Sequence, residues 1–309
     1  MKKLFFLTLF VLAVNGAFAQ TSADEHQWKA TVKVVDESGL PVSKADVKVG
    51  YFTNNDTVEI EGTTGTNGIF EASHTTSTFN YVEYKLAFGV EKEGYYGTRS
   101  ECDLGLPYDA AKWNPTVTLL LKQVKKPIAM YAKRYVNDPP LGQPVGYDLM
   151  VGDWVGPNGK GVNADIVFQN SAYRKSGADY EYKVKVTFPK VGDGIQIYSI
   201  PDSEKGSGLR SPHEAPLEGY QTELDKERSA HPGQAPKNDD DPNRIYLFRV
   251  RTLKDHEGNI VSAHYGKIYG DFMQFTYYLN PTPNDRNIEF DPKQNLIQGL
   301  QSFEQVNAP

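Results

Sequence analysis

A single cysteine, Cys102, stands among 309 residues. That excludes a disulfide framework and any zinc site built on several thiolates. Cys102 has no intrachain partner, so it reads as a buried small hydrophobe, the alternative being a route to a dimer. Basic charge is also scarce. The 33 Lys and Arg face 39 Asp and Glu, giving a net charge of −6 and a pI near 5.6. A nucleic-acid binder carries a basic footprint, so that partner class is excluded. After Val14, no apolar run approaches the ~18 residues of a membrane-crossing helix. Catalytic motifs are missing too. None of the six histidines forms His-x-His or His-Glu-x-x-His, and no Gly-x-Ser-x-Gly elbow is present. Gly159-Lys160 is not a phosphate loop, because Trp154 and Gly161 stand where Gly and Ser/Thr are required.

What is present begins at the N-terminus. Lys2 and Lys3 precede an apolar stretch from Leu4 to Val14, and Ala17-Phe18-Ala19 fits the small-x-small cleavage rule. Residues 1–19 therefore read as a secretory signal peptide, with Gln20 as the new N-terminus. Without Lys2 and Lys3, 31 basic residues face 39 acidic ones, a net charge of −8. The expected location is secreted or periplasmic. Aromatics are the other surplus, 12% of the chain. Many alternate with polar residues, as pleated strands favour, so they argue first for β structure.

Residues 26–123 read as one β-sandwich. Trp28, Ala30, Val32 and Val34 alternate with Lys29, Thr31 and Lys33, and Ala45, Val47, Val49 and Tyr51 repeat the period of two. Further strands are expected at 58–62, 69–72, 81–91 and 116–121, with Glu37–Pro41 and Gly65–Gly68 as turns. The run from Val34 through Asp36, Gly39, Pro41, Val42 and Ala45 to Val49 resembles the opening of carboxypeptidase regulatory-like domains, which are similar to transthyretin-type sandwiches. Thr64–Phe70 resembles a later element of that family, and Gly94-Tyr95-Tyr96 its Gly-Tyr; Gly65 departs from the family's Asp. The resemblance implies a non-catalytic module of secreted or envelope proteins and carries over no catalytic residue.

Gln123–Pro127 marks a junction, and residues 127–297 read as a second β-rich domain, followed by a polar tail at 298–309. Strands are expected at 128–136, 146–151, 164–168, 180–188, 195–200, 244–253, 259–268, 272–279 and 287–290. Tyr277–Pro281 and Ile288–Pro292 resemble tails of exported bacterial proteins of unassigned role. Residues 200–243 hold six prolines and read as an inserted loop. Within it, Ser211 and Glu214 suggest a capping box, with Leu217, Tyr220 and Leu224 on one face of a short helix. A mobile stretch is expected from Ser229 to Asn243.

The fold class is thus mainly β: two sandwich-like domains in tandem, with a short helix and a long loop in the second. The function that follows is an exported, non-catalytic binding, adhesion or envelope-associated module, whose partner would be a glycan or a cell-envelope component. Trp154 and Asp153, in the loop after the 146–151 strand, are the ligand-binding candidates, since loops carry recognition. Asp239, Asp240 and Asp241 offer oxygens to calcium but lack the EF-hand spacing, so a solvated acidic turn is the preferred account. His256 and His264, on opposite arms of a presumed hairpin, read as surface residues. No cofactor is implied. A carbohydrate-binding module remains one alternative. A hydrolase acting on polysaccharide or peptide from the second domain is another, since a glycosidase needs only two well-placed carboxylates.

Overall fold

The computed structural model describes residues 24–52, 57–78, 84–105, 109–136 and 140–309. The signal-peptide segment, 1–19, and the start of the expected 81–91 strand lie outside them. Strands β1 (Asp24–Asp36), β2 (Asp46–Phe52), β3 (Thr57–Thr63), β4 (Ile69–Thr78), β5 (Lys85–Glu91), β6 (Tyr95–Tyr96), β7 (Thr98–Asp103) and β8 (Thr116–Gln123) build the first domain. They form two four-stranded sheets, ordered β4-β1-β8-β6 and β3-β2-β5-β7. The alternation expected in β1, β2 and β5 buries Trp28, Val32, Val47, Tyr51 and Phe88 between the layers. Rings cross that core: Trp28 stacks on Tyr51 at 5.8 Å, and Tyr84 lies 5.5 Å from Trp113 on the one-turn helix α1 (Ala110–Trp113).

The family-like residues have physical roles here. Asp36 accepts from the amides of Ser38 and Leu40, closing the turn that Gly39 enters at φ +76°. Gly68 has φ +72°, and a Cβ there would stand 2.6 Å from the Val34 carbonyl oxygen. Thr64 Oγ1 donates to Val42 O and accepts from Ala45 N, tying the two turns together. Cys102, expected to be buried, is half-buried on β7, where burial raises its thiol pKa.

The second domain runs through β9 (Ile128–Tyr135), β10 (Val145–Asp148), β11 (Asp153–Trp154), β12 (Ile166–Ser176), β13 (Asp179–Thr187), β14 (Gly194–Ser199), β15 (Glu223–Ala230), β16 (Lys237–Asn238), β17 (Arg244–Lys254), β18 (Ile260–Gly270), β19 (Phe275–Leu279) and β20 (Phe290–Asn295). Two six-stranded sheets result: β11-β10-β12-β13-β15-β16 and β14-β17-β18-β19-β9-β20. Phe168, Val184 and Val186 of the first pack against Phe248, Ile268 and Tyr277 of the second. The second sheet is also buried on its other face, where Met130, Leu247 and Tyr265 meet Ile200, Ala215, Ile288 and Val306.

Two expectations change. Residues 211–224 are not helical: Ser211 is buried, Leu217 is exposed, and Glu223 opens β15. The segment from Ile200 to Ala215 covers a sheet that would otherwise expose apolar side chains, so packing wins over local helical spacing. The stretch 229–243 contains the end of β15 and all of β16, paired at Arg228↔Asn238 and Ser229↔Lys237. The polar 298–309 tail packs back on the second domain. Val306 is buried against the second sheet, and Tyr278 donates to the Ala308 carbonyl. Among the described residues, no helix is long and apolar enough to cross a membrane.

Candidate functional site

The outer face of the β10–β16 sheet carries an open cleft of about 640 Å³. Its floor follows from strand alternation. On β12, β13 and β15 the residues between the core positions point outward. The register sets Gln169 beside Lys185 and Asp225, and Ser171 beside Lys183 and Glu227. Leu141 rims one side and Lys237 the other. The lysines are already matched: Lys183 with Glu181 at 2.8 Å, Lys185 with Glu223 at 2.7 Å and Lys237 with Glu227 at 2.8 Å. These bonds raise the three lysine pKa values and lower that of Glu227. Each pair is solvent-screened, so the face supplies hydrogen-bond donors and acceptors rather than a net field.

The predicted site residues lie elsewhere. Trp154 is not an exposed loop aromatic: β11 pairs it with Tyr147, which turns the indole inward to 7% exposure. Its Nε1 donates to Tyr135 Oη at 3.2 Å, and its ring meets Tyr147 and Phe168 edge-on at 5.0 and 5.3 Å. Asp153 accepts from the amides of Trp154 and Lys160, both at 2.8 Å, and so braces the loop. The Asp239–Asp241 oxygens serve the chain. Asp239 accepts from Glu227 N, Asp240 pairs with Arg228, and Asp241 pairs with Arg244 at 3.2 Å. Among the described residues, no group of three His, Cys, Asp or Glu is placed to hold a metal. His256 sits in the exposed Asp255–Gly258 turn, and His264 Nδ1 lies 3.0 Å from the Asn280 carbonyl oxygen.

Two buried polar clusters escaped the sequence reading. In one, Arg251 spans Asp148 and Asp165, at 2.8 Å from each carboxylate, while Asp148 also accepts from the Val162 and Asn163 amides. Burial would raise the Asp148 pKa, but those amides, the Val151 amide and Arg251 outweigh it and lower the value. The other cluster joins the domains. Glu289 accepts from Tyr96 Oη at 2.7 Å and from the Lys125 and Lys126 amides at 2.9 Å. Burial alone would raise its pKa; His213, Tyr96 and the two amides bring it to about 2. Behind it, the fully buried Lys267 donates to Ser211 Oγ at 2.9 Å, and burial lowers its pKa to about 7. A Ser–Lys pair of this kind can serve acyl transfer. Both side chains are 0% exposed, however, so a substrate has no path to them. No local signal marks either cluster. Arg251 reaches Asp165 across 86 residues of chain, and Tyr96 reaches Glu289 across 193.

No family profile matches the chain, and no curated protein matches it. Two solved structures show a distant likeness, both of the shaft pilin SpaA from Lactobacillus rhamnosus GG. A single mutant is 13% identical at a TM-score of 0.25, covering 55% of this chain and 90% of that one. A double mutant is 12% identical at 0.23, covering 75% and 89%. Scores this low carry no argument about shared function. The class stands on the strands themselves: a mainly β chain of two sandwich-like domains.

Proposed function

We propose that this chain is an exported, non-catalytic recognition module that binds a glycan or another polar cell-envelope component across the open cleft. The observation that carries this reading is the cleft itself, a broad concave sheet face lined with paired Lys, Glu and Asp and with Gln169 and Ser171. Its chemistry suits a polar ligand held by many hydrogen bonds. The leader pattern at 1–19 supports export, and the first domain, as a carboxypeptidase regulatory-like module, fits the role of a rigid companion. The experiment is a glycan array with parallel pull-downs of envelope fractions, using the secreted chain and a Lys183→Glu/Lys185→Glu variant. The expected result is binding that the variant weakens at least about tenfold, since each lost charge-assisted bond is worth roughly 1.5–3 kcal/mol. Turnover of a polysaccharide or peptide by the same preparation would overturn the non-catalytic reading.

A further inference from the structure

We propose that Tyr173, with the Asp179–His231 pair beside it, forms an end subsite of the open cleft, where its ring stacks on the terminal pyranose of an uncharged oligosaccharide. This rests on the cleft reading above and narrows its ligand to one class. Strand alternation puts Tyr173 on the cleft's face. Gln169 and Ser171 line the cleft, and Tyr173 is the next outward position on β12, opposite Glu181 of β13. Tyr173 is 50% exposed, whereas rings such as Tyr147, Trp154 and Phe168 fill the core. The other exposed rings among the described residues, Phe52 and Phe303, stand on the first domain and on the C-terminal tail.

Polar contacts run from the cleft to this ring. Lys183, in the cleft, holds Glu181 at 2.8 Å, and Glu181 Oε2 lies 3.9 Å from His231 Nε2. His231 Nδ1 lies 3.0 Å from Asp179 Oδ1, and Tyr173 Oη lies 3.5 Å from Asp179 Oδ2. Asp179, Glu181 and His231 all keep part of their side chains in solvent. A pyranose has a face of C–H groups and a belt of hydroxyls. An aromatic face receives the first, and carboxylates and ammonium groups hydrogen-bond the second. Lys183, Lys185 and Lys237 are each matched to a carboxylate, so this face offers a charged ligand little attraction. The backbone of β13 is paired on both sides, with β12 and with β15, so an extended peptide finds no strand edge to join there. From Gln169 to Tyr173 the strand covers about 13 Å, the reach of a short oligosaccharide rather than of one sugar.

The test titrates the whole chain with cello-, malto- and N-acetylated chitooligosaccharides, from disaccharide to hexasaccharide. Wild type is compared with Tyr173→Ala, Tyr173→Phe and Lys183→Glu/Lys185→Glu. The expected result is that at least one of these neutral chains binds and shifts the Tyr173 ring signals in NMR. Tyr173→Ala should weaken that binding about three- to tenfold, the worth of one aromatic contact. Tyr173→Phe keeps the ring and should keep the affinity. Tyr173 is half exposed, so the Ala variant should unfold at the wild-type midpoint, which separates a lost contact from a damaged fold. An equal loss in Tyr173→Phe overturns the stacking. Binding that Lys183→Glu/Lys185→Glu weakens and Tyr173→Ala leaves untouched overturns the subsite while the cleft reading stands. No binding to any of these chains overturns the subsite as well; a blank glycan array and blank envelope pull-downs would take the cleft reading with it.

Discussion

Arg251 occupies a left-handed backbone conformation, φ +56°, at a bulge where β17 slips register against β18. A side-chain-bearing residue holds such a conformation at a cost of about 1–3 kcal/mol. Here the guanidinium repays it by neutralising Asp148 and Asp165, which are 1% and 2% exposed at their side chains. Arg251→Met would leave two buried carboxylates facing each other. We expect a loss of about 3–5 kcal/mol in urea unfolding, the range for breaking one side of a buried ion pair. Lys267 should behave in the opposite way. Its proton leaves at about 7 in the folded chain, because burial disfavours the charge, but near 10.4 in the unfolded one. Between those values the unfolded state binds more protons, so wild-type stability rises with pH across that window. Lys267→Met removes the titrating group. Its stability curve should flatten between about pH 7 and pH 10, and at pH 6 it should gain about 1–4 kcal/mol. A curve as steep as wild type would refute the buried-ammonium account.

At the level of strands and turns, Gly68 is the position where local sequence and fold agree most closely. The Asn67-Gly68 turn was legible because only glycine enters left-handed backbone without penalty. Its close approach to Val34 O and Pro41 was not, since that depends on β1 and the turn after it. Gly68→Ala should cost at least about 1–2 kcal/mol from backbone conformation alone, read as a lower urea midpoint. The alternating runs of β1, β2 and β13 were legible for the same kind of reason: each buries one face, so its period of two is written in the residues. β7 was hidden because Thr98–Asp103 is largely polar, and β15 because Glu223–Ala230 reads as a charged coil. The helix expected at 211–224 failed because Leu217, Tyr220 and Leu224 share a helical spacing without sharing a core. Trp154 failed through register: a two-residue strand is too short to show which way its side chains point, and pairing with Tyr147 turned the indole inward.

The whole molecule is joined by contacts that no single segment announces. Gly206 donates no side chain, and its carbonyl accepts from Arg99 N at 3.0 Å, while Gly208 N donates to Gly97 O at 2.8 Å. The segment that covers the second sandwich thus also docks on the first, beside β7. Lys122, 3% exposed on β8, reaches across to Glu204 and to the Ser211 carbonyl. Glu289 is the acid on which this interface converges, and its pH dependence can be stated with its sign. Its folded pKa of about 2 lies below the ordinary glutamate value near 4.3, so the unfolded chain takes up the proton first as pH falls. The stabilisation is therefore full above about pH 4.3 and is lost progressively as pH drops toward 2. Glu289→Gln keeps the shape but turns an NH₂ toward groups that already donate. It should uncouple the domains, so that calorimetry resolves two transitions where wild type shows one. The steep acid decline between about pH 4 and pH 2 should also become shallower. A single transition with an unchanged acid limb would place the coupling elsewhere, on the Gly206–Arg99 backbone contacts. Gly206→Ala would then be the variant that separates the domains, because a Cβ there meets the Arg99 carbonyl.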